Sequence, residues 1–113
     1  MMRFKQRHLR ELKQLERILW DNYNRQKTYR RIYESSKKKS DKEKVDDIND
    51  ILIDSPEVLE FIKSASSEIA NYLMSKEQGA NDLFSGHKTI NVYDYFDLLD
   101  AIYNLLDKME KLI

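Results

Sequence analysis

The chain has 113 residues, no Cys and a formal net charge of zero, with 20 basic and 20 acidic side chains. A chain of this length usually forms one domain, and a hydrophobic content of 41% is enough for a modest core. The lack of Cys excludes disulfides, thiolate metal sites and a Cys nucleophile. No apolar run approaches the roughly 20 residues that span a bilayer, and no apolar signal sequence follows Met1. We therefore expect a soluble, cytoplasmic protein with no membrane span.

The charges are divided along the chain. Up to Lys44 there are 15 Lys and Arg against 6 Asp and Glu, whereas from Val45 onward there are 5 against 14. The simplest expectation is that the basic part lies along the acidic part, in the same chain or in a dimer mate. Because an exposed ion pair contributes under about 1 kcal/mol, apolar burial should set the stability and charge should set the orientation.

The first predicted element is a long helix over residues 2–36, which contain no Gly or Pro. Its middle is apolar over a wider arc than one bundle face requires, which indicates more than one neighbour. A helix of this length measures roughly 50 Å, so it must break, project from a compact domain, or be covered by a second copy. We expect a homodimer. The predicted association face consists of Leu12, Leu15, Leu19, Trp20 and Tyr23.

Basic residues alternate with tyrosines near the end of this helix. Such a pattern is typical of a nucleic-acid contact, since cations neutralise phosphates and aromatic rings stack on unpaired bases. A solvated helix face that runs into a basic loop explains it equally, and a pI near 6.7 argues against a dedicated nucleic-acid binder. The candidate contacts with nucleic acid or an acidic partner are Arg25, Lys27, Arg30, Arg31, Lys37, Lys38 and Lys39.

Two short segments follow the long helix. Residues 37–44 are polar and charged, which indicates a hinge or loop. Residues 45–53 carry apolar side chains at helical spacing, so we predict a short helix there. This helix begins an acidic helical bundle that covers residues 45–113.

The clearest helix start in the chain lies within this bundle. Ser55 can cap the helix, Pro56 suits its first position, and Glu57 faces the positive end of the helix dipole. We expect this helix to end near Gly79. Its predicted inner face consists of Val58, Leu59, Ile62, Ala65, Ile69 and Leu73.

Residues 79–91 are predicted to form a loop, with Leu83 and Phe84 packed against the core. Asn91 is a candidate N-cap for a last helix that runs from Val92 nearly to the end of the chain. The inner stripe of this helix consists of Leu98, Ile102, Leu105, Met109 and Leu112.

Together these elements predict an all-α fold. Residues 1–113 form a single domain, in which a long N-terminal helix is followed by a small bundle, with about four helices in all. Lys, Asn, Ile, Asp and Tyr are abundant, which suits an AT-rich genome such as that of a low-GC Gram-positive bacterium or its phage.

The sequence gives little support for catalysis or for a cofactor. His8 and His87 lie in different segments without a partner at ligand spacing, and no glycine-rich phosphate loop is present. Arg3 and His8 form an R-x4-H that resembles the active-site motif of HEPN-type ribonucleases, which are small helical bundles. The rest of the chain does not match that family. We therefore expect that the protein is not an enzyme and that it has no catalytic residue, no bound metal and no cofactor.

We therefore predict a small non-enzymatic protein that interacts with a protein partner, as a phage or mobile-element regulator or inhibitor would. One alternative is a nucleic-acid-binding accessory protein that uses residues 25–39. Another is a soluble immunity or antitoxin-type protein. The size and helix count are similar to those of bacteriocin immunity proteins, whose first helix is usually shorter.

Overall fold

The computed structural model describes residues 5–36 and 50–112. In these residues a long N-terminal helix is followed by a small helical bundle, as predicted, and the bundle includes a two-stranded sheet. The predicted hinge over residues 37–44 lies outside the described residues. In chain order the elements are α1 (Gln6–Ser36), β1 (Asp50–Leu52), α2 (Pro56–Ser64), α3 (Ser67–Lys76), α4 (Gln78–Phe84), β2 (Thr89–Asn91) and α5 (Val92–Leu112).

Helix α1 is unbroken over its 31 residues. At 1.5 Å per residue it measures about 46 Å, and the molecule measures 52 × 23 × 22 Å. The helix therefore runs along nearly the whole long axis. The apolar side chains of its first half pack against α2 and α5, where they form one wall of the core. The fully buried members of that wall are Leu12, Leu15, Ile18 and Leu19.

The predicted short helix over residues 45–53 is wrong where the structure describes it, since Asp50–Leu52 is a strand. It pairs antiparallel with β2, and Ile51 lies opposite Ile90. Ile51 and Ile53 are buried whereas Leu52 is exposed, which is the period of two that a strand imposes. The apolar run 51–53 is too short for its periodicity to separate the two structures.

The helix predicted from Ser55 to the vicinity of Gly79 is two helices. Ala65 and Ser66 adopt extended backbone angles between α2 and α3. The carboxylate of Glu11 on α1 accepts hydrogen bonds from the Ser66 N–H (3.2 Å) and hydroxyl (2.9 Å). An acidic side chain from α1 thus stabilises the start of α3, and this contact between distant residues leaves no local signal in the sequence.

The break changes which side chains of α2 point inward. Val58 and Phe61 are buried, and Ile62 packs partly against the core. The prediction that Leu59 belongs to the inner face is wrong, because its side chain is 46% exposed. The predicted inward residues of α3, Ile69 and Leu73, are fully buried.

The prediction that a helix ends near Gly79 is wrong, because Gly79 lies in the first turn of α4. A Cβ atom at this position would lie 2.5 Å from the backbone oxygen of Asp94, so glycine is required by the close approach of α4 to α5. The predicted loop over residues 79–91 therefore holds a helix and a strand. Leu83 is buried and Phe84 packs against the core, as predicted.

Helix α5 matches its prediction. The side chain of Asn91 accepts hydrogen bonds from the backbone N–H groups of Tyr93 (2.9 Å) and Asp94 (3.4 Å), which is the geometry of an N-cap. The buried side chains of its inner stripe are Leu98, Ile102, Leu105 and Met109. Among the described residues, no helix is long and apolar enough to cross a membrane.

Candidate protein interaction surface

The structure divides the predicted association face into a buried part and an exposed part. Leu12, Leu15 and Leu19 are 0% exposed and belong to the core of the single chain. They stabilise the fold of this chain and are not accessible to a partner on its surface. Tyr23 is half-buried, and Trp20 remains 41% exposed. The exposed part of the predicted face is therefore Trp20 with the edge of Tyr23.

These two rings form an aromatic cluster with α5. The ring centroid of Trp20 lies 6.0 Å from that of Tyr23 and 6.3 Å from that of Phe96. Tyr23 meets Phe96 edge to face at 5.1 Å. Such separations lie within the range in which aromatic pairs attract beyond their burial. The cluster holds the indole of Trp20 at the surface in a defined position.

The exposed side of α5 continues this cluster with tyrosines and aspartates. Tyr93 is 75% exposed and Tyr103 is 64% exposed. Asp100 lies one turn from Phe96 and one turn from Tyr103, at the i−4 and i+3 positions, where side chains of a helix are neighbours. We name this surface the aromatic–acidic face. It consists of Trp20, Tyr93, Phe96, Asp97, Asp100 and Tyr103.

Ion pairs join the basic helix α1 to the acidic bundle, as the division of charge along the sequence predicted. In each pair the cation lies on α1 and the carboxylate lies on the second part of the chain. The pairs are Lys13–Glu110 (3.4 Å), Arg17–Glu57 (3.0 Å) and Arg25–Asp54 (2.6 Å). All three are exposed, so they orient α1 on the bundle more than they stabilise it.

Asp97 and Asp100 differ from these paired carboxylates. Both are exposed, and neither forms an ion pair or hydrogen bond with a side chain that the structure describes. Asp107, about two turns beyond Asp100 on α5, is by contrast neutralised by Lys111 at 3.2 Å. The aromatic–acidic face thus carries two negative charges that pair with no side chain in the described part of the chain.

Burial and the charges of Asp97 and Asp100 affect the pKa of Glu77, which lies between α3 and α4. Burial is the largest cause of the raised pKa of the Glu77 carboxyl. The negative charges of Asp97, Asp94 and Asp100 raise this pKa further. Within the described ranges, no group of three or more His, Asp or Glu side chains is placed to hold a metal ion.

The predicted basic contact is placed only in part. Arg25 is paired with Asp54, and this pair attaches α1 to the segment between β1 and α2. Lys27, Arg30 and Arg31 belong to the C-terminal third of α1. The remaining candidates, Lys37, Lys38 and Lys39, lie outside the described residues. The contact with nucleic acid or an acidic partner therefore stays a prediction.

His8 serves the start of α1. It is buried, and its Nδ1 accepts a hydrogen bond from the backbone N–H of Lys5 at 2.9 Å, as the third residue of a helix does in a capping box. Its Nε2 lies 3.9 Å from the Glu68 carboxylate on α3. The other residue of the R-x4-H, Arg3, lies outside the described residues. The contacts of His8 thus give it a structural role at the start of α1.

Comparison of the chain with protein-family models, with curated proteins and with solved structures finds no match. Sequence reasoning found Trp20 and Tyr23 but missed Tyr93, Phe96 and Tyr103. Their signal was present in the sequence, because two tyrosines lie on the same side of the last helix as Asp97 and Asp100, opposite its apolar stripe.

Proposed function

We propose that the protein is a small non-enzymatic interaction protein that binds a protein partner through the aromatic–acidic face. The observation that carries the proposal is the exposure of Trp20 while its ring is packed against Tyr23 and Phe96. Trp and Tyr dominate the binding energy of protein interfaces, because they bury a large area at a small cost in side-chain entropy. A ring already held in place by its neighbours loses even less freedom on binding.

Single exposed apolar side chains are normal on soluble proteins and need no function. The distribution of these side chains is what favours an interface here. The exposed large hydrophobic residues within the described ranges are Trp20, Leu52, Leu59, Tyr93 and Tyr103. Three of those five lie on the aromatic–acidic face, and the same face carries Asp97 and Asp100, which pair with no described side chain.

Such a protein acts by covering a surface of its partner, and it requires no cofactor. Within this proposal, the small size suits a cytoplasmic regulator or inhibitor encoded by a phage or a mobile element. The composition, typical of an AT-rich genome, supports that assignment within the proposal.

A matched pair of variants tests the proposed surface. Trp20→Ser removes the exposed indole, whereas Leu59→Ser removes a side chain of similar exposure on α2 (41% against 46%). We expect a protein that co-purifies with the tagged wild-type chain from its native cells to be lost with Trp20→Ser and kept with Leu59→Ser. Equal co-purification with both variants contradicts the proposed surface.

The homodimer stays a prediction. Because the three leucines of the predicted association face are buried within the chain, a second copy can reach only Trp20 and Tyr23 of that set. Light scattering measures the mass directly, since one chain has 13.6 kDa. A dimer that uses this face becomes a monomer in Trp20→Ser, and a dimer that persists in this variant uses another surface.

A further inference from the structure

We infer that the aromatic–acidic face receives an arginine-bearing basic segment of a partner protein. The inference rests on the proposed function and adds the chemistry of the partner to it. It follows from the position of Asp97 and Asp100, which no described side chain pairs with, on the same face as exposed aromatic rings.

The first step is the arrangement of rings around a carboxylate. On α5, Asp100 has Phe96 on the preceding turn and Tyr103 on the following turn, at a Cβ separation of about 5–6 Å. Trp20 on α1 packs against Phe96 with 6.3 Å between the ring centroids. A cation that binds Asp100 therefore lies beside the positions of Phe96 and Tyr103 on α5.

The second step is the cost of covering Asp97 and Asp100. An apolar partner would take both carboxylates out of water without a partner charge, which is strongly unfavourable. A nucleic acid would place phosphates against them and be repelled. A cationic segment removes this cost, because each carboxylate gains an opposite charge as it loses water.

The third step separates arginine from lysine. A guanidinium stacks flat on an aromatic ring while its N–H groups bind a neighbouring carboxylate, and it is more weakly hydrated than an ammonium. The aromatic–acidic face offers both kinds of contact at adjacent positions.

The experiment uses the only tryptophan of the chain as the reporter. Because Trp20 is exposed and lies in the proposed site, a ligand that covers it changes the intrinsic fluorescence. The full-length wild-type chain is titrated with a nona-arginine peptide and with a nona-lysine peptide, at about 0.05 M and about 0.5 M salt. We expect the arginine peptide to change the fluorescence and to bind at least about threefold more tightly than the lysine peptide.

Two variants and one control locate the site. Asp100→Asn should weaken binding of the arginine peptide by up to about fivefold, the range of one exposed ion pair, and Tyr103→Ala should reduce the preference for arginine over lysine. Glu60→Gln on α2 removes the same charge from another exposed carboxylate that has no ion pair among the described side chains. It should leave binding within twofold of wild type. All three positions are exposed, so the fold is retained.

Two results overturn the inference. One is equal affinity for both peptides with equal loss in Asp100→Asn and Glu60→Gln, which means attraction by net charge alone. The other is the absence of any fluorescence response to the arginine peptide. If the response is absent while Trp20→Ser still abolishes co-purification of a partner, the partner chemistry is wrong and the proposed function stands. If both experiments fail, the proposed function fails with it.

Discussion

Removal of one hydroxyl, in Tyr95→Phe, tests the account of how α1 is held against α5 beneath the aromatic cluster. Tyr95 is 0% exposed, and its ring lies 6.5 Å from that of Tyr23. Its hydroxyl donates a hydrogen bond to the backbone oxygen of Leu19 and accepts one from the Asn22 amide at 3.3 Å. The same amide donates to the backbone oxygen of Leu52 at 3.0 Å. One buried network thus joins α1, β1 and α5.

The magnitude follows from the number of bonds lost. Each neutral hydrogen bond contributes about 1 kcal/mol, and the Asn22 amide would keep a buried N–H without a partner. We therefore expect Tyr95→Phe to lower the free energy of unfolding by about 2 kcal/mol, or the melting temperature by about 8 °C for a chain of this size. Tyr93→Phe is the control, because its hydroxyl is in water and its loss should change stability by less than about 0.5 kcal/mol.

A double-mutant cycle separates the two bonds. Asn22→Leu removes the amide, including an Oδ1 that is buried and has no hydrogen-bond partner among the described residues. In that background Tyr95→Phe should cost about 1 kcal/mol, since only the bond to Leu19 is lost. Chemical denaturation with an unchanged slope gives these values. A cost for Tyr95→Phe no greater than that of Tyr93→Phe would refute the reasoning.

Three further substitutions test the packing and the charges. Leu15→Asp places a carboxylate at a site with 0% exposure. Burial of this charge costs more than about 4 kcal/mol, so we expect far-UV circular dichroism to show a largely unfolded chain. A folded variant would mean that Leu15 is not in the core. Gly79→Ala puts a Cβ 2.5 Å from the Asp94 oxygen and should lower stability by roughly 1–3 kcal/mol in thermal unfolding, whereas an unchanged melting temperature would contradict the close approach. Glu77→Gln should raise the melting temperature at pH 7. Because the pKa of Glu77 is raised in the folded chain, the wild-type side chain contributes its full stabilisation below its usual pKa of 4.5 and loses that stabilisation as pH rises through the raised pKa. The gain in melting temperature from Glu77→Gln should therefore vanish near pH 4. A gain that does not depend on pH would exclude this cause.

The parts of the fold that the sequence predicted are those with long, regular apolar spacing. Helices α1 and α5 each have a stripe that continues over many turns, and Asn91 gives a local start signal. The all-α class follows from these two helices. Short elements were not predictable in the same way, because three residues of apolar sequence suit a strand as well as a helix.

Contacts between distant residues account for the other differences. The side-chain amide of Gln26 exchanges hydrogen bonds with the backbone of Leu52, and in this way α1 covers the outer edge of β1. Glu11 acts similarly on the start of α3. In each case a polar side chain of α1 binds backbone more than 25 residues away, so no local pattern records it.

The candidate surface was half predictable for a similar reason. The wide apolar arc of α1 correctly indicated more than one neighbour, but the pattern did not show that α5 and α2 of the same chain are among them. Because α5 and α2 pack against α1, the leucines of the predicted association face are buried in the core and Trp20 lies at the edge of the core. The exposed tyrosines of α5 become meaningful only when Phe96 is seen against Trp20.

The most direct test of the central claim is photo-crosslinking in the native cell from single positions of the chain. A photoreactive residue replaces Tyr103, in the aromatic–acidic face, or Leu59, on α2. We predict a discrete adduct with another protein from position 103 and none from position 59. No adduct from position 103, or the same adducts from both positions, would contradict the claim that this face is the binding surface.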